Sequence, residues 1–357
     1  MPDVVITRRP ITLEVPEAWL MNPNDGAQHR MFYAGLLSAL AEMNVTIDPV
    51  WLPRGAERAP RRTTTDKFAI SFHSHGSDGY LMRCKESYIP MYFTMDSMGY
   101  SCFSELARHP ERFMPAIARI DTSRAKAFVD GVARDLRANN QSKYPQPAYV
   151  PPAYTGYLFV PLQMEWDSVA QGTWIDPLAA LERTIHAARA RGLHTVVKRH
   201  PLCRSAKIAT VLDRLDQASD VTVSTDSVNT LIEGACLVVG ANSGVLFEAL
   251  LQGRDVISFA ASDFGTATHQ VRSLAVLERA IAAPAPPDAA WRYRFLSWYL
   301  REYCVQANDV AAIRRKIQAF VARPRSSDLT ATHRFYGGQG SLYLYSAFDR
   351  IKRRIFS

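Results

Sequence analysis

The chain has 357 residues, more than one hydrophobic core of ordinary size takes up, and the length fits two domains. At 47% hydrophobic and 21% charged, with no low-complexity run, the composition excludes a disordered scaffold. A net charge of +8 and a pI near 9.3 suggest an anionic partner: nucleic acid, anionic lipid, or a phosphorylated or acidic sugar.

In chain order, strand-like runs are expected at 4–7, 68–72 and 90–94, with a helix over 27–43. Residues 133–152 turn polar and then rich in Pro, Gln and Tyr, which marks a linker. Beyond it the rhythm sharpens. The apolar run 157–162 predicts a buried strand, and Asp176-Pro177 starts a helix that runs to Arg191 and stops at Gly192. A strand at 195–198 ends in Arg199-His200-Pro201, followed by an amphipathic helix over 205–217 and a β-branched strand at 221–224. A short helix at 227–233 leads to a strand at 236–240; a helix over 243–252, closed by Gly253, leads to a strand at 255–259. This alternation implies an α/β fold with a doubly wound parallel sheet and right-handed crossovers. After Pro284, Pro286 and Pro287, two helices are expected at 289–305 and 309–321. The expected division is a first domain over 1–150, a second over 151–310 and C-terminal helices over 311–357.

Three features fall at the carboxyl ends of predicted strands, where open parallel sheets bind ligands. Lys198-Arg199-His200-Pro201 brings two cations and an imidazole to one stiffened turn, suited to gripping a phosphate or to facing solvent as a basic strand end. Ala241-Asn242-Ser243-Gly244 opens a helix whose first amides make an anion site, although Ser243 equally suits an N-cap. Gln163, Glu165, Asp167 and Ser168 follow the strand at 157–162; the two carboxylates can act as nucleophile, general base or hydroxyl ligand, or belong to a solvated loop.

Other chemistries lack their patterns. No GxGxxG, GxxxxGK[ST], HExxH, GxSxG or DxD-type motif is present, which argues against dinucleotide oxidoreductases, P-loop NTPases and metal-bound nucleotides. Cys84, Cys102, Cys203, Cys236 and Cys304 are scattered without a CxxC pair, so reduced, core-buried thiols are expected and a zinc site is not. The basic residues are dispersed and follow no nucleic-acid-binding pattern. No apolar run is long enough to cross a bilayer and Arg8-Arg9 precedes no signal-peptide core, so a cytoplasmic protein is expected.

The blocks Tyr157-Leu-Phe-Val-Pro-Leu-Gln163 with Asp167-Ser168, Val197-Lys198-Arg199-His200-Pro201, and Val238-Val-Gly-Ala-Asn-Ser243-Gly244-Val-Leu-Phe-Glu248-Ala-Leu resemble the capsule polysaccharide biosynthesis proteins. That group contains the retaining β-Kdo glycosyltransferases, Kdo being 3-deoxy-D-manno-oct-2-ulosonic acid. A His-Pro pair followed by a serine block also occurs in bacterial sialyltransferases and in polymerases of glycerol-phosphate wall polymers. All of these use cytidine-nucleotide donors.

The resemblance implies a GT-B-like pair of Rossmann-like domains facing a cleft, with CMP-Kdo as donor and no metal cofactor. His200 would contact the CMP phosphate with Ser243 and the Gly244 amide, in turns shaped by Pro201 and Asn242. Lys198 and Arg199 would neutralise the phosphate or the sugar carboxylate, and Glu248 would hold a ribose hydroxyl or pack. Asp167 matches the nucleophile of a double displacement, with Glu165 as runner-up. An acid/base from the first domain would be Asp96 ahead of Glu105, although either suits a helix cap. His73 and His75 would bind acceptor or donor or serve structure, and Asn24, Asp25 and Gln28 would touch the acceptor.

The implied activity is retaining transfer of β-linked Kdo to a saccharide or glycolipid acceptor in bacterial surface polysaccharide synthesis. Alternatives are another CMP- or CDP-dependent transferase, for a nonulosonic acid or a glycerol phosphate, and a non-catalytic capsule-assembly subunit. At 343–356 aromatics and isoleucines partly segregate from Arg350, Lys352, Arg353 and Arg354 on a helical plot. Such a segment lies peripherally on an anionic inner membrane or packs back across the domains.

Overall fold

The computed structural model describes residues 10–21, 26–53, 68–77, 79–164, 166–323 and 351. Its elements begin with β1 (Ile11–Pro16), α1 (Glu17–Leu20), α2 (Gly26–Glu42), β2 (Ile47–Leu52), β3 (Ala69–Phe72), β4 (Leu81–Glu86), β5 (Tyr92–Asp96), α3 (Glu105–Arg108), α4 (Met114–Ala118) and α5 (Thr122–Ala138). Next come β6 (Tyr157–Pro161), α6 (Pro177–Ala190), β7 (Thr195–Lys198), α7 (Ala206–Leu215), β8 (Val221–Val223), α8 (Val228–Gly234), β9 (Ala235–Gly240) and α9 (Gly244–Leu251). The last are β10 (Asp255–Ser258), β11 (His269–Gln270), α10 (Leu274–Ala282), α11 (Ala289–Trp298), β12 (Cys304–Gln306) and α12 (Val310–Val321). Two compact α/β units result. One takes the described residues of Met1–Ser87, Met91–Glu105 and Tyr303–Ser357; the other takes Tyr88–Pro90 and Leu106–Glu302.

The second unit holds a six-stranded sheet in the order β11-β10-β9-β6-β7-β8, parallel throughout. Helices cover both faces of such a sheet, so its central strands read as continuous apolar runs, and all five residues of β6 are buried. Short-range signals start and stop the helices. Asp176, Ser205, Ser227 and Ser243 each accept a hydrogen bond from a backbone N–H in the first turn of α6, α7, α8 and α9. Gly192 and Gly253 end α6 and α9 with φ of +66° and +79°, a conformation costly for residues with a Cβ. Leu158, Val160, Leu181, Ile185, Val197, Val239, Ile257 and Leu277 form its core.

In the first unit the order is β12-β5-β4-β3-β1-β2; the strands from β4 to β2 are parallel, while β5 pairs antiparallel with both β4 and β12. Phe32 stacks on Phe93 at 4.3 Å between ring centroids, within a core that includes Leu13, Leu36, Phe72, Val305 and Ile313. Helix α12 packs on α2, and Gly35 makes the close approach feasible. A Cβ there would stand 2.8 Å from the Ala307 carbonyl oxygen and 3.0 Å from Ile313 Cδ1.

The structure corrects several expectations. The helix expected over 289–305 stops at Trp298 and widens over Tyr299–Tyr303, and Cys304–Gln306 becomes an edge strand paired with Thr94, Phe93 and Tyr92. Pairing with β5 satisfies backbone groups that no helical propensity reveals. The expected linker begins inside α5, and its remainder is tied down by α8. Val228 N donates to Gln146 Oε1 at 2.9 Å, Thr230 Oγ1 to Val150 O at 2.7 Å, and Tyr149 OH to Glu233 at 2.6 Å. The boundary expected near 150 therefore lies at 105, and the chain re-enters the first unit at Tyr303. Cys84, Cys102 and Cys304 are buried as expected, but Cys203 is half-buried and Cys236 is exposed on β9. Strands β1, β2 and β4 were not anticipated. The expected strand at 4–7 lies outside the described residues, as does the segment 343–356 except for Ile351. Among the described residues no helix is long and apolar enough to cross a membrane.

Gly35→Val should force α2 and α12 apart and lower stability by about 1–3 kcal/mol. A urea denaturation midpoint equal to wild type would refute this account of the contact.

Candidate functional site

Strand order in the second sheet steps one way from β6 through β7 to β8 and the other way from β9 to β11, so it reverses between β6 and β9. Ligands of open α/β sheets bind outside the carboxyl ends at such a reversal. The three sequence blocks follow β6, β7 and β9, which are neighbours there.

Asn242, 2% exposed, knits the turns together. Its Nδ2 donates to Val169 O at 2.8 Å and Ala261 O at 3.1 Å, and its Oδ1 accepts from Gln163 Nε2 at 3.4 Å. The same side chain thus joins the segment after β6, the turn after β9 and the end of β10. Ser243 takes the cap role, its Oγ accepting from Val245 N at 3.4 Å. Gly244, the first residue of α9, leaves room for Tyr88, whose Cδ1 would lie 3.3 Å from an added Cβ.

His200 leaves β7 half-buried. Its Nδ1 accepts from Leu202 N at 3.2 Å, so in the neutral ring Nε2 carries the proton and can donate to an oxyanion. Burial lowers its pKa, the Asp167 carboxylate raises it, and the Lys143 cation lowers it. Asp167 therefore lies within electrostatic range of His200. It caps a short 3₁₀ turn, accepting from Val169 N and Ser168 Oγ at 3.3 Å each. Trp166, 68% exposed, adjoins it, and Leu202 is 53% exposed on the turn after His200.

Glu248, 1% exposed on α9, accepts from Ser142 Oγ at 2.8 Å, while its Oε2 has no hydrogen-bond partner among the described residues. Burial pushes its pKa up to about 8, against the opposing pull of Ser142 and of the Lys143 amide and charge. It is therefore largely protonated near neutral pH.

Lys198 and Arg199, expected at a phosphate, donate to backbone carbonyls, and Arg199 Nε has no hydrogen-bond partner among the described residues. Lys198 Nζ donates to Thr225 O at 3.0 Å and Asp226 O at 2.5 Å, and Arg199 Nη2 to Ser205 O at 3.1 Å. These bonds shape the turns after β8 and before α7. Pro201 is exposed between them.

The first unit gives its candidates structural ties. Asp96, 4% exposed, accepts from Met98 N at 2.6 Å, Gly99 N at 2.7 Å, Glu105 N at 3.1 Å and Tyr303 OH at 2.6 Å. Burial raises its pKa and these hydrogen bonds lower it. Capping the first residue of α3, the alternative weighed against an acid/base role, is its observed position. Glu105 accepts from Ser97 Oγ at 2.7 Å and Arg323 Nη1 at 2.8 Å. His73 follows β3 at φ +51°, edge-on to Tyr100 at 4.9 Å, and His75 stacks on Phe103 at 4.0 Å. Gln28 Oε1 accepts from Met91 N at 2.9 Å. Glu165, Asn24 and Asp25 lie outside the described residues.

Sequence reading missed the strap 139–150, which it took for a linker. Ser142 bonds Glu248, and Tyr144 stands edge-on to His200 at 5.2 Å. Its polar, proline-broken composition carries no signal of these contacts, because they bridge residues far apart in sequence.

Solved structures similar to this chain include Thermosulfurimonas dismutans KpsC as a β-Kdo 2,4 transferase, 15% identical over 81% of this chain and 90% of that one, with a TM-score of 0.46. The same organism's KpsC as a β-Kdo 2,7 transferase is 13% identical over 86% and 99%, with a TM-score of 0.46. The UDP-GlcNAc 2-epimerase of Methanocaldococcus jannaschii, in complex with UDP-GlcNAc and UDP, is 7% identical over 81% and 98%, with a TM-score of 0.33. No family model matches the chain, and none of the curated proteins matches it by sequence.

Asn242→Ala removes the donor from the buried Val169 carbonyl and the half-buried Ala261 carbonyl and should cost about 1–3 kcal/mol in urea denaturation; a loss below about 0.5 kcal/mol would contradict its clamping role. Glu248 makes a second prediction. Its folded-state pKa exceeds the ordinary carboxyl value, so its contribution is intact below about 4.5 and is lost as pH rises through about 8. The thermal midpoint of wild type should therefore fall over that window relative to Glu248→Gln, and parallel curves would contradict the burial of an ionisable group there.

Proposed function

We propose that the chain is a retaining glycosyltransferase that moves a β-linked Kdo residue from CMP-Kdo to a saccharide or glycolipid acceptor in bacterial surface polysaccharide synthesis. The observation that carries the reading is the gathering of the Gln163–Ser168 segment, His200 and the Asn242-Ser243-Gly244 turn on neighbouring carboxyl ends at the strand-order reversal of the second sheet. The N-terminal end of α9, which starts at Gly244, and a neutral imidazole donating through Nε2 suit a nucleotide monophosphate. Sequence resemblance supplies the identity of the nucleotide and sugar.

In this reading His200 Nε2–H and the Gly244 amide hold the CMP phosphate and stabilise the charge that grows on it as the glycosidic bond breaks. Asp167 attacks the anomeric carbon and forms a glycosyl ester while CMP departs. The acceptor hydroxyl then displaces Asp167 and loses its proton to solvent, and the two inversions restore the starting configuration. Asn242 and Gln163 keep the Asp167 loop against the α9 turn. Acceptors of this class are lipid-linked, which suits a protein working at an anionic membrane surface.

Incubation with CMP-Kdo and an acceptor preparation should release CMP. Asp167→Ala should cut turnover at least about 10³-fold while CMP still binds. His200→Ala should weaken CMP about tenfold. Release from CMP-sialic acid but not CMP-Kdo would shift the reading to a nonulosonic acid transferase. Full activity of both variants would overturn the site.

A further inference from the structure

We infer that the second unit carries a separate site for a phosphate ester bearing an ammonium group, of the phosphoethanolamine kind, between the start of α5 and the turn after α11. The inference is independent of the donor reading above. A cavity of about 280 Å³ opens there, and its lining includes Arg119, Asp121, Arg124, Ser297, Arg301 and Glu302. The strap 139–150 begins at the opposite end of α5, whose 17 residues span about 25 Å. Three guanidiniums and two carboxylates thus line one small hollow, and among the described residues none of these five side chains forms an ion pair.

Local contacts hold these charges where they are. Asp121 is committed to the start of α5, where it accepts from Arg124 N at 2.8 Å. The Arg301 guanidinium lies over the Phe128 ring, 5.4 Å from its centroid. Phe128 is four residues beyond Arg124, so this contact draws Arg301 to the face of α5 that carries Arg124. Like charges gathered on one face are unfavourable until an anion lies between them. The other wall is irregular. Tyr299–Tyr303 is a π turn, in which residue i aligns with i+5, and such turns concentrate at functional sites. It brings Glu302 round to the side of Ser297 and Arg301, whereas an α-helix would carry it away. Arg294 Nε donates to Thr122 Oγ1 at 2.7 Å and braces α11 against α5, with Ala125 and Ser297 buried between them. Size and charge together name the ligand class. The volume falls just below the roughly 300–1,000 Å³ of pockets for drug-sized ligands, so a headgroup-sized molecule fits. Guanidinium forks match phosphate oxygens in pairs. A bare phosphate would also meet the Glu302 carboxylate, whereas an ester with an ammonium a few bonds away answers both signs. Free phosphoethanolamine and the headgroup of phosphatidylethanolamine share this chemistry.

Two measurements on the full chain test it: ligand-observed NMR titration with phosphoethanolamine and with inorganic phosphate, and cosedimentation with phosphatidylcholine vesicles with and without phosphatidylethanolamine. Wild type should bind phosphoethanolamine about fivefold more tightly than phosphate. Arg124→Gln and Arg301→Gln should each weaken phosphoethanolamine about tenfold. Glu302→Gln should weaken phosphoethanolamine yet tighten phosphate, opposite shifts that a loss of fold does not produce. Retention on phosphatidylethanolamine vesicles that is lost in Arg301→Gln would support the lipid headgroup as the source. Binding of the free ester without vesicle retention would support the soluble one. Phosphate bound as tightly as phosphoethanolamine, or no loss in either arginine variant, would overturn the inference. So would a wild-type chain that takes neither the free ester nor the vesicles.

Discussion

Everything in the second unit's candidate site hangs on how a buried primary amide is satisfied. Asn242 sits 2% exposed where the strand order reverses, and both its donor and its acceptor are committed to chain segments that leave different strands. A buried amide left unpaired is expensive, so these turns cannot drift apart without exposing it. That constraint sets the path of the Asp167 loop relative to the start of α9. At that start Ser243 takes the Val245 amide on its Oγ and the Leu246 amide on its carbonyl.

Around this clamp the charged and titratable groups fall into two sets. Lys198 and Arg199 shape turns, whereas His200, Asp167 and Lys143 share one electrostatic environment. Glu248 lies behind them as a largely protonated acid whose second oxygen has no partner among the described residues.

The first unit solves a different problem with similar means. Its chain departs after Glu105 and returns at Tyr303, and Asp96 bridges the two passages by accepting from the Glu105 amide and the Tyr303 hydroxyl. A carboxylate at a strand end followed by a helix has the look of chemistry in sequence. Its hydrogen bonds give it the work of closing a fold whose edge strand, β12, is about two hundred residues from its partner in the chain.

What the sequence determined by itself was whatever depends on residues within a turn or two of each other. The Asp176-Pro177 cap, the Gly192 and Gly253 stops, and the apolar runs of β6, β7, β9 and β10 encode the alternating second sheet, and with it the strand ends that carry His200, Asn242 and Asp167. Tertiary structure decided the pairings between distant segments. Polar residues 139–150 became a strap because α8 and α9 offered hydrogen-bond partners, Cys304–Gln306 left the helix because β5 offered an open edge, and Lys198 turned to carbonyls of a neighbouring turn. Local propensity is read from neighbours in the chain, whereas the satisfaction of a polar group depends on whichever partner the fold brings within about 3 Å of it.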